Sequence, residues 1–239
     1  MLPYEGVFTS MNAIAVYSNT GQSLAIAHRL KERTGYPLFS LAEAPQGEYE
    51  KLILVFPIHC QSAPKPITDF LKNANFQWLL PVATYGKMSY GNVLYELQKQ
   101  YSNIFAAAYI PAKHAYLEND VSFSAYDELE PLIQKAIAPV ADAIRLPSFR
   151  KSRWASLFPR WRSRIGIQIK RTDRCTSCGE CARLCPQEAI RKKHITHRCI
   201  RCLRCVTLCP NTAIVYRARL PLRLYLQKKP IIKTILYLS

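Results

Sequence analysis

The chain has 239 residues, 49% of them apolar, and a formal net charge of +17, which is enough material for two domains with their own cores. Its longest apolar run, Leu52 to Ile58, is far too short to cross a bilayer, and the opening "MLPYEGVFTS" has neither the basic nor the apolar part of a secretory leader. A cytoplasmic location is therefore expected, where clustered cysteines point to metal or redox work and away from disulfides. The charge is divided unevenly. Residues 1–144 carry 10 Lys and Arg against 13 Asp and Glu, while residues 145–239 carry 23 against 3 and hold eight of the nine cysteines.

The first half alternates between two periodicities. Ala13 to Tyr17 is a short apolar run suited to a buried parallel strand. Ser18-Asn19-Thr20-Gly21-Gln22-Ser23 follows and opens a helical stretch that ends near Gly35. A hydroxyl-rich loop between strand and helix offers N–H groups, a positive dipole end and close backbone approach at glycine, all suited to an anion. Ser18, Thr20 and Ser23 are also good helix caps, which is the plainer reading of the same residues. Further strands are expected at 37–41, 51–56, 78–84 and 103–110. Helices are expected at 64–75, through Val93, Leu94 and Leu97, and from Ser124 with Asp127 onward. In the last helix Leu129, Ile133, Ile137, Val140 and Ile144 form one apolar stripe. This rhythm predicts a doubly wound α/β fold, a five-stranded parallel sheet with ligands at the carboxyl ends of its strands.

Residues 12–145 resemble a flavodoxin domain, whose phosphate signature [ST]-x-T-G-x-[ST] is met by Ser18, Thr20, Gly21 and Ser23. The resemblance implies FMN as cofactor, with its phosphate on Ser18, Asn19, Thr20, Gly21, Gln22 and Ser23. By the same similarity its ring lies between two loops, one containing Pro57, Ile58, His59 and Cys60, the other Thr84, Tyr85, Gly86, Tyr90, Gly91 and Asn92. His114 and Tyr116 are further candidates for the cofactor mouth. The chain contains no G-x-G, so the dinucleotide fingerprint is absent and FMN is favoured over FAD or NAD.

In the second half, Cys175, Cys178, Cys181 and Cys185 are followed by Cys199, Cys202, Cys205 and Cys209, each set ending in Cys-Pro. A tight C-x₂-C-x₂-C loop supplies three thiolates from different directions, as a cubane cluster needs. Structural zinc sites instead separate C-x₂₋₄-C pairs by longer spacers. The pattern resembles bacterial two-cluster ferredoxins and predicts a small α+β domain at 171–216 with two 4Fe–4S clusters. That resemblance implies crossed ligation: Cys175, Cys178 and Cys181 with Cys209, and Cys199, Cys202 and Cys205 with Cys185. The second repeat departs by carrying Leu203 where the first has Gly179, and by adding Arg201 and Arg204.

Together the halves resemble flavodoxin–ferredoxin fusion proteins, which implies electron transfer between two clusters and an FMN. The rival readings are a flavin-dependent reductase of a small molecule and a cluster-containing binding protein without flavin. An N-terminal extension (1–11), a basic linker (146–170) and a basic, apolar tail (217–239) complete the plan. The surplus positive charge, including the arginines around Cys199–Cys209, is expected to meet an acidic redox partner such as a small ferredoxin, or an anionic membrane surface. For the linker and tail themselves, packing over the flavodoxin-like surface is the leading reading, with an anionic membrane as the alternative; nucleic acid is disfavoured.

Overall fold

Five apolar segments become neighbouring parallel strands: β1 (Met11–Val16), β2 (Leu38–Ser40), β3 (Glu48–Pro57), β4 (Asn75–Tyr85) and β5 (Ala106–Pro111). The computed structural model describes residues 10–116, 123–140, 146–149, 151–153, 162–191 and 194–239. Residues 1–9, Ile144 and the linker residues 154–161 lie outside the described residues. The strand order β2-β1-β3-β4-β5 is the flavodoxin-like arrangement, with a reversal point between β1 and β3.

Both faces of this sheet are covered. Ile14, Val16, Ile53 and Val55 meet Ile26 and Leu30 of α1 (Gln22–Thr34) and Leu132 and Ile133 of α4 (Glu130–Ile137). Ala13, Ala15, Leu52, Leu54 and Phe56 meet Ile67 and Leu71 of α2 (Lys65–Asn73) and Val93, Leu94 and Leu97 of α3 (Val93–Gln98). Burial on two sides is why these strands read as continuous apolar runs. The expected stripe of the last helix holds at Leu129 and Ile133, whereas Ile137 is 44% exposed. The α-helix has ended there, and Ala138 has left helical geometry.

Lys51 lies within the apolar run of β3 and is almost fully buried. Its ammonium donates to the carbonyls of Ala136, Ile137 and Ala138 at 3.1, 3.3 and 2.7 Å. A cation at a helix C-terminus satisfies orphan carbonyls and meets the negative dipole end.

The cysteine-rich segment folds between β6 (Ile167–Arg171) and β9 (Ile214–Ala218), an antiparallel pair that extends the domain beyond the expected limits of 171 and 216. A smaller pair, β7 (Ile190–Arg191) and β8 (His194–Ile195), lies between them. Short helices are α5 (Arg162–Gly166), α6 (Glu180–Arg183), α7 (Arg204–Thr207) and α8 (Leu220–Leu226).

The tail then returns to the first domain. β10 (Ile235–Leu238) pairs antiparallel with β5, from Ile235 opposite Tyr109 to Leu238 opposite Ala106, and makes a sixth strand. Tyr237 packs on Phe149 of the linker with ring centroids 4.5 Å apart. The expected five-stranded sheet is thus closed on one edge by the far end of the chain.

Replacing Lys51 with Met removes the ammonium and leaves its three carbonyl partners short of a donor. This should cost about 1–3 kcal/mol, read as a lowered denaturant midpoint with an unchanged slope. An unaltered midpoint would mean that the three contacts contribute nothing net.

Candidate functional site

The two cysteine repeats adopt the same backbone 24 residues apart. Cys175 and Cys199 each donate their N–H to a threonine carbonyl, Thr172 and Thr196, at 3.2 Å. Ser177 and Arg201 both have φ 59°, and Glu188 and Thr212 both have φ 46°. Gly179 and Leu203 both precede a short helix in the left-handed region, at φ 81° and 62°. Glycine takes this conformation freely, whereas a leucine is strained there. The fourth cysteine of each set accepts an N–H four residues on, Ala189 to Cys185 Sγ and Ala213 to Cys209 Sγ, both at 3.3 Å.

Two cavities form where the repeats cross. One, of about 300 Å³, is lined by Cys175, Cys178 and Cys181 together with Cys209 from the other repeat. The second is lined by Cys199, Cys202 and Cys205 together with Cys185. Among the described residues no three His, Cys, Asp or Glu side chains converge tightly enough for a single ion. A cubane sets each thiolate on its own iron, so four cysteines around a cavity suit a cluster better than a lone metal.

Identical backbones sit in opposite surroundings. Thr176, Ser177, Cys178 and Gly179 are exposed, whereas of their counterparts Ile200, Arg201 and Cys202 are half-buried and Leu203 is buried. Burial pushes the Cys202 thiol up to about 11 and Cys205 to about 12. Cys209 goes the other way: against the burial that would raise it, the N–H groups of Ala213, Asn211 and Ile214 hold it below the usual thiol range.

What covers the second repeat is the carboxyl edge of the first domain. The Arg204 guanidinium donates to the carbonyl of Ser18 at 2.9 Å, and the Tyr116 hydroxyl donates to the carbonyl of Arg201 at 2.8 Å. Tyr116 is half-buried, and its hydroxyl is held far above its usual range, first by burial and then by the nearby thiols of Cys60, Cys202 and Cys199. Arg198, the third arginine of this stretch, stands 3.7 Å from Glu188. The side chains of Arg204 and Arg198 thus find partners within the chain, while Arg201 is engaged through its backbone carbonyl. The sequence marked two of them as departures but did not show which way they face.

The phosphate loop itself lies between β1 and α1, with Gly21 at φ 84°. Ser23 Oγ meets Thr84 Oγ1 at 2.9 Å, both buried, which ties the loop to the end of β4. Thr20 and Gln22 are half-buried and Gly21 is exposed. Asn19 is buried and its Nδ2 donates to His59 Nε2 at 3.0 Å, which leaves the ring proton on Nδ1. Burial lowers the His59 pKa to about 4, so the imidazole is neutral at physiological pH.

The ring loops are placed more variously. Ile58 donates to Thr84 at 2.8 Å, and His59 and Ser62 exchange two hydrogen bonds, making a tight turn with Cys60 and Gln61 at φ 49° and 68°. Pro57 is the last residue of β3. Gly86 and Gly91 mark close packing: a side chain at Gly86 would strike the His114 ring, and one at Gly91 would strike the backbone of Gln61. Three expected ring residues are engaged otherwise. Tyr85 points into the core, and its hydroxyl donates to the Lys233 carbonyl at 2.6 Å. Tyr90 stacks 4.8 Å from Tyr109. Asn92 exchanges two hydrogen bonds with the Ser152 backbone, at 2.9 and 2.7 Å.

Polar atoms buried around this junction with no hydrogen-bond partner include Ser18 Oγ, Asn19 Oδ1, His59 Nδ1, Arg201 Nε and Arg204 Nε. Buried polar groups are normally satisfied, and such a cluster calls for a ligand. Four are donors in this tautomer and one is an acceptor, which suits a hydroxylated anion, and the phosphate and ribityl chain of FMN have that chemistry.

Comparison with known proteins agrees with the second half of this picture. Residues 169–191 match a family model described as a 4Fe-4S binding domain, and residues 196–216 match another of the same description. The chain therefore joins a flavodoxin-like α/β domain to two 4Fe–4S binding domains. No curated protein matches it. Two solved structures are similar in part. A candidate flavoprotein from Bacteroides uniformis ATCC 8492 shares 18% identity over 44% of this chain and 92% of its own, with a TM-score of 0.37. Another, from Bacteroides eggerthii DSM 20697, shares 20% over 53% and 99%, with a TM-score of 0.38. Similarity at this level carries no functional argument by itself.

If ligation crosses between repeats, Cys185→Ser should damage the cluster of Cys199, Cys202 and Cys205 and spare that of Cys175. Paramagnetic resonance of the reduced protein distinguishes the two outcomes. Selective loss of the cluster beside Cys175 would overturn the crossed arrangement.

Proposed function

We propose that this protein is an electron-transfer iron–sulfur flavoprotein, linking one-electron carriers to an FMN through two 4Fe–4S clusters. The observation that supports it most directly is the seating of the second cysteine loop on the carboxyl edge of the flavodoxin-like sheet. The clusters would supply single-electron steps and FMN one or two, so the work of the protein is positioning and tuning. No side chain needs to act as acid or nucleophile.

The residues divide this work. The exposed turn from Thr176 to Gly179 leaves Cys178 open to solvent, where an outside carrier can approach. The opposite turn holds Cys202, half-buried, at the domain junction beside Tyr116. N–H donors at Cys185 and Cys209 and the Arg171 guanidinium, 3.9 Å from Cys181 Sγ, favour added negative charge on the sulfurs. We propose work in the cytoplasm, a reducing compartment in which clustered cysteines serve metal or redox roles; among the described residues no helix is long and apolar enough to cross a membrane.

A visible spectrum of the anaerobically purified protein tests the assignment. Flavin bands over broad cluster absorbance are expected, with two interacting paramagnetic centres after reduction. Cluster absorbance without flavin, even after incubation with FMN, would instead favour a cluster protein that has lost its flavin.

The partner we propose is a small acidic electron carrier. Lys170 and Arg174 are exposed on either side of Arg171, which lines the open cavity. With a Debye length of ~10 Å at 0.1 M salt, steering by these charges fades as salt rises. The rate of electron exchange with an acidic ferredoxin should therefore fall steeply with ionic strength. A flat profile would remove the acidic partner from the proposal.

A further inference from the structure

The arginines of the second repeat have an unusual position. Arg204 belongs to the cluster segment, yet its Nη1 is bound to Ser18, 186 residues earlier, at the opening of the phosphate loop. Its Nε and that of Arg201 are buried without a partner, and among the described residues no carboxylate forms an ion pair with either. A buried guanidinium with unused donors is costly unless an anion meets it.

The duplication supplies an internal control. Arg204 occupies the place that Glu180 holds in the first repeat, and Arg201 the place of Ser177. The backbone is the same in both. Only the repeat that faces the loop carries the cations. On the other side, α1 has 13 residues, no acidic residue in its first turn and a glycine at its N-cap that offers no side-chain cap, so its positive end meets no protein carboxylate or capping side chain there. Asn19 is more than nine-tenths buried with Oδ1 unpaired, and Ser18 Oγ is likewise unpaired. Donors from two domains therefore converge on one loop.

We propose that Arg204, with Arg201, completes the phosphate site of the flavin, so that the cluster segment itself binds the FMN phosphate together with the Ser18–Ser23 loop. This rests on the FMN reading above and deepens it: the flavin becomes a joint between the domains, and its retention depends on the cluster segment being in place. The guanidinium of Arg204 acts as a binding group, held at the right height by its hydrogen bond to Ser18.

The test uses the full chain with its clusters, freed of flavin and titrated with FMN and with riboflavin, which lacks the phosphate. Arg204→Gln should weaken FMN about ten- to a hundredfold, as loss of a charge-assisted contact does, and leave riboflavin affinity within about twofold. Arg204→Lys should fall between, and Arg201→Gln should show a smaller loss of the same kind. Arg198→Gln, whose partner Glu188 lies in its own domain, should change neither ligand. Iron content and paramagnetic spectra should stay as in the parent. Equal losses for FMN and riboflavin, or no loss for FMN, would overturn the proposal. A parent protein with intact clusters that binds neither flavin would instead overturn the FMN reading beneath it.

Discussion

The pairing of β10 with β5 is the constraint on which the remaining arrangement depends. Four residues near the end of the chain complete the sheet that the first hundred residues began. The linker is fastened on the way out, through Asn92 to Ser152 and Gln98 to Phe149. The cysteine-rich segment is therefore held at both of its ends by the flavodoxin-like domain. A segment tethered twice has few placements open to it, and loop closure lowers the entropy cost of docking. The contacts of Arg204 and Tyr116 then need to fix only the last details of the approach.

Docking engages part of the positive charge of the second half. Of the arginines beside Cys199–Cys209, Arg204 is bound to Ser18 and Arg198 stands beside Glu188. Other cations stay exposed, among them Lys170 and Arg174 near the first cavity and Arg219, Arg223, Lys228 and Lys229 around α8, where Leu220 and Leu224 are also exposed.

Much of this was legible in the sequence, and the misses have physical causes. Strands buried on both faces announce themselves as apolar runs, and the cysteine spacing carries its geometry with it. The ring loop was misread at Tyr85 because β4 runs one residue further than expected. Tyr85 shares the parity of Leu79 and Ala83, so the alternation of a strand sends it into the core they occupy. A strict count along the strand reveals this. The partner of β10 was out of reach, since "ILYL" fits any open edge and only the fold decides which edge is open. Arg201 and Arg204 were visible as departures from the repeat, but their direction depends on how two domains meet, which no local pattern encodes.

The repeated backbone also records a history. Two segments with matching hydrogen bonds and matching positive-φ residues are the product of a duplicated stretch of gene. The copy with Gly179 keeps the conformation at no steric cost, while the copy with Leu203 keeps it under strain, buried at 3% exposure. One backbone thus serves two environments, with Thr176–Gly179 turned to solvent and Ile200–Leu203 turned to the flavodoxin-like domain, and only the second holds a leucine where the turn favours glycine.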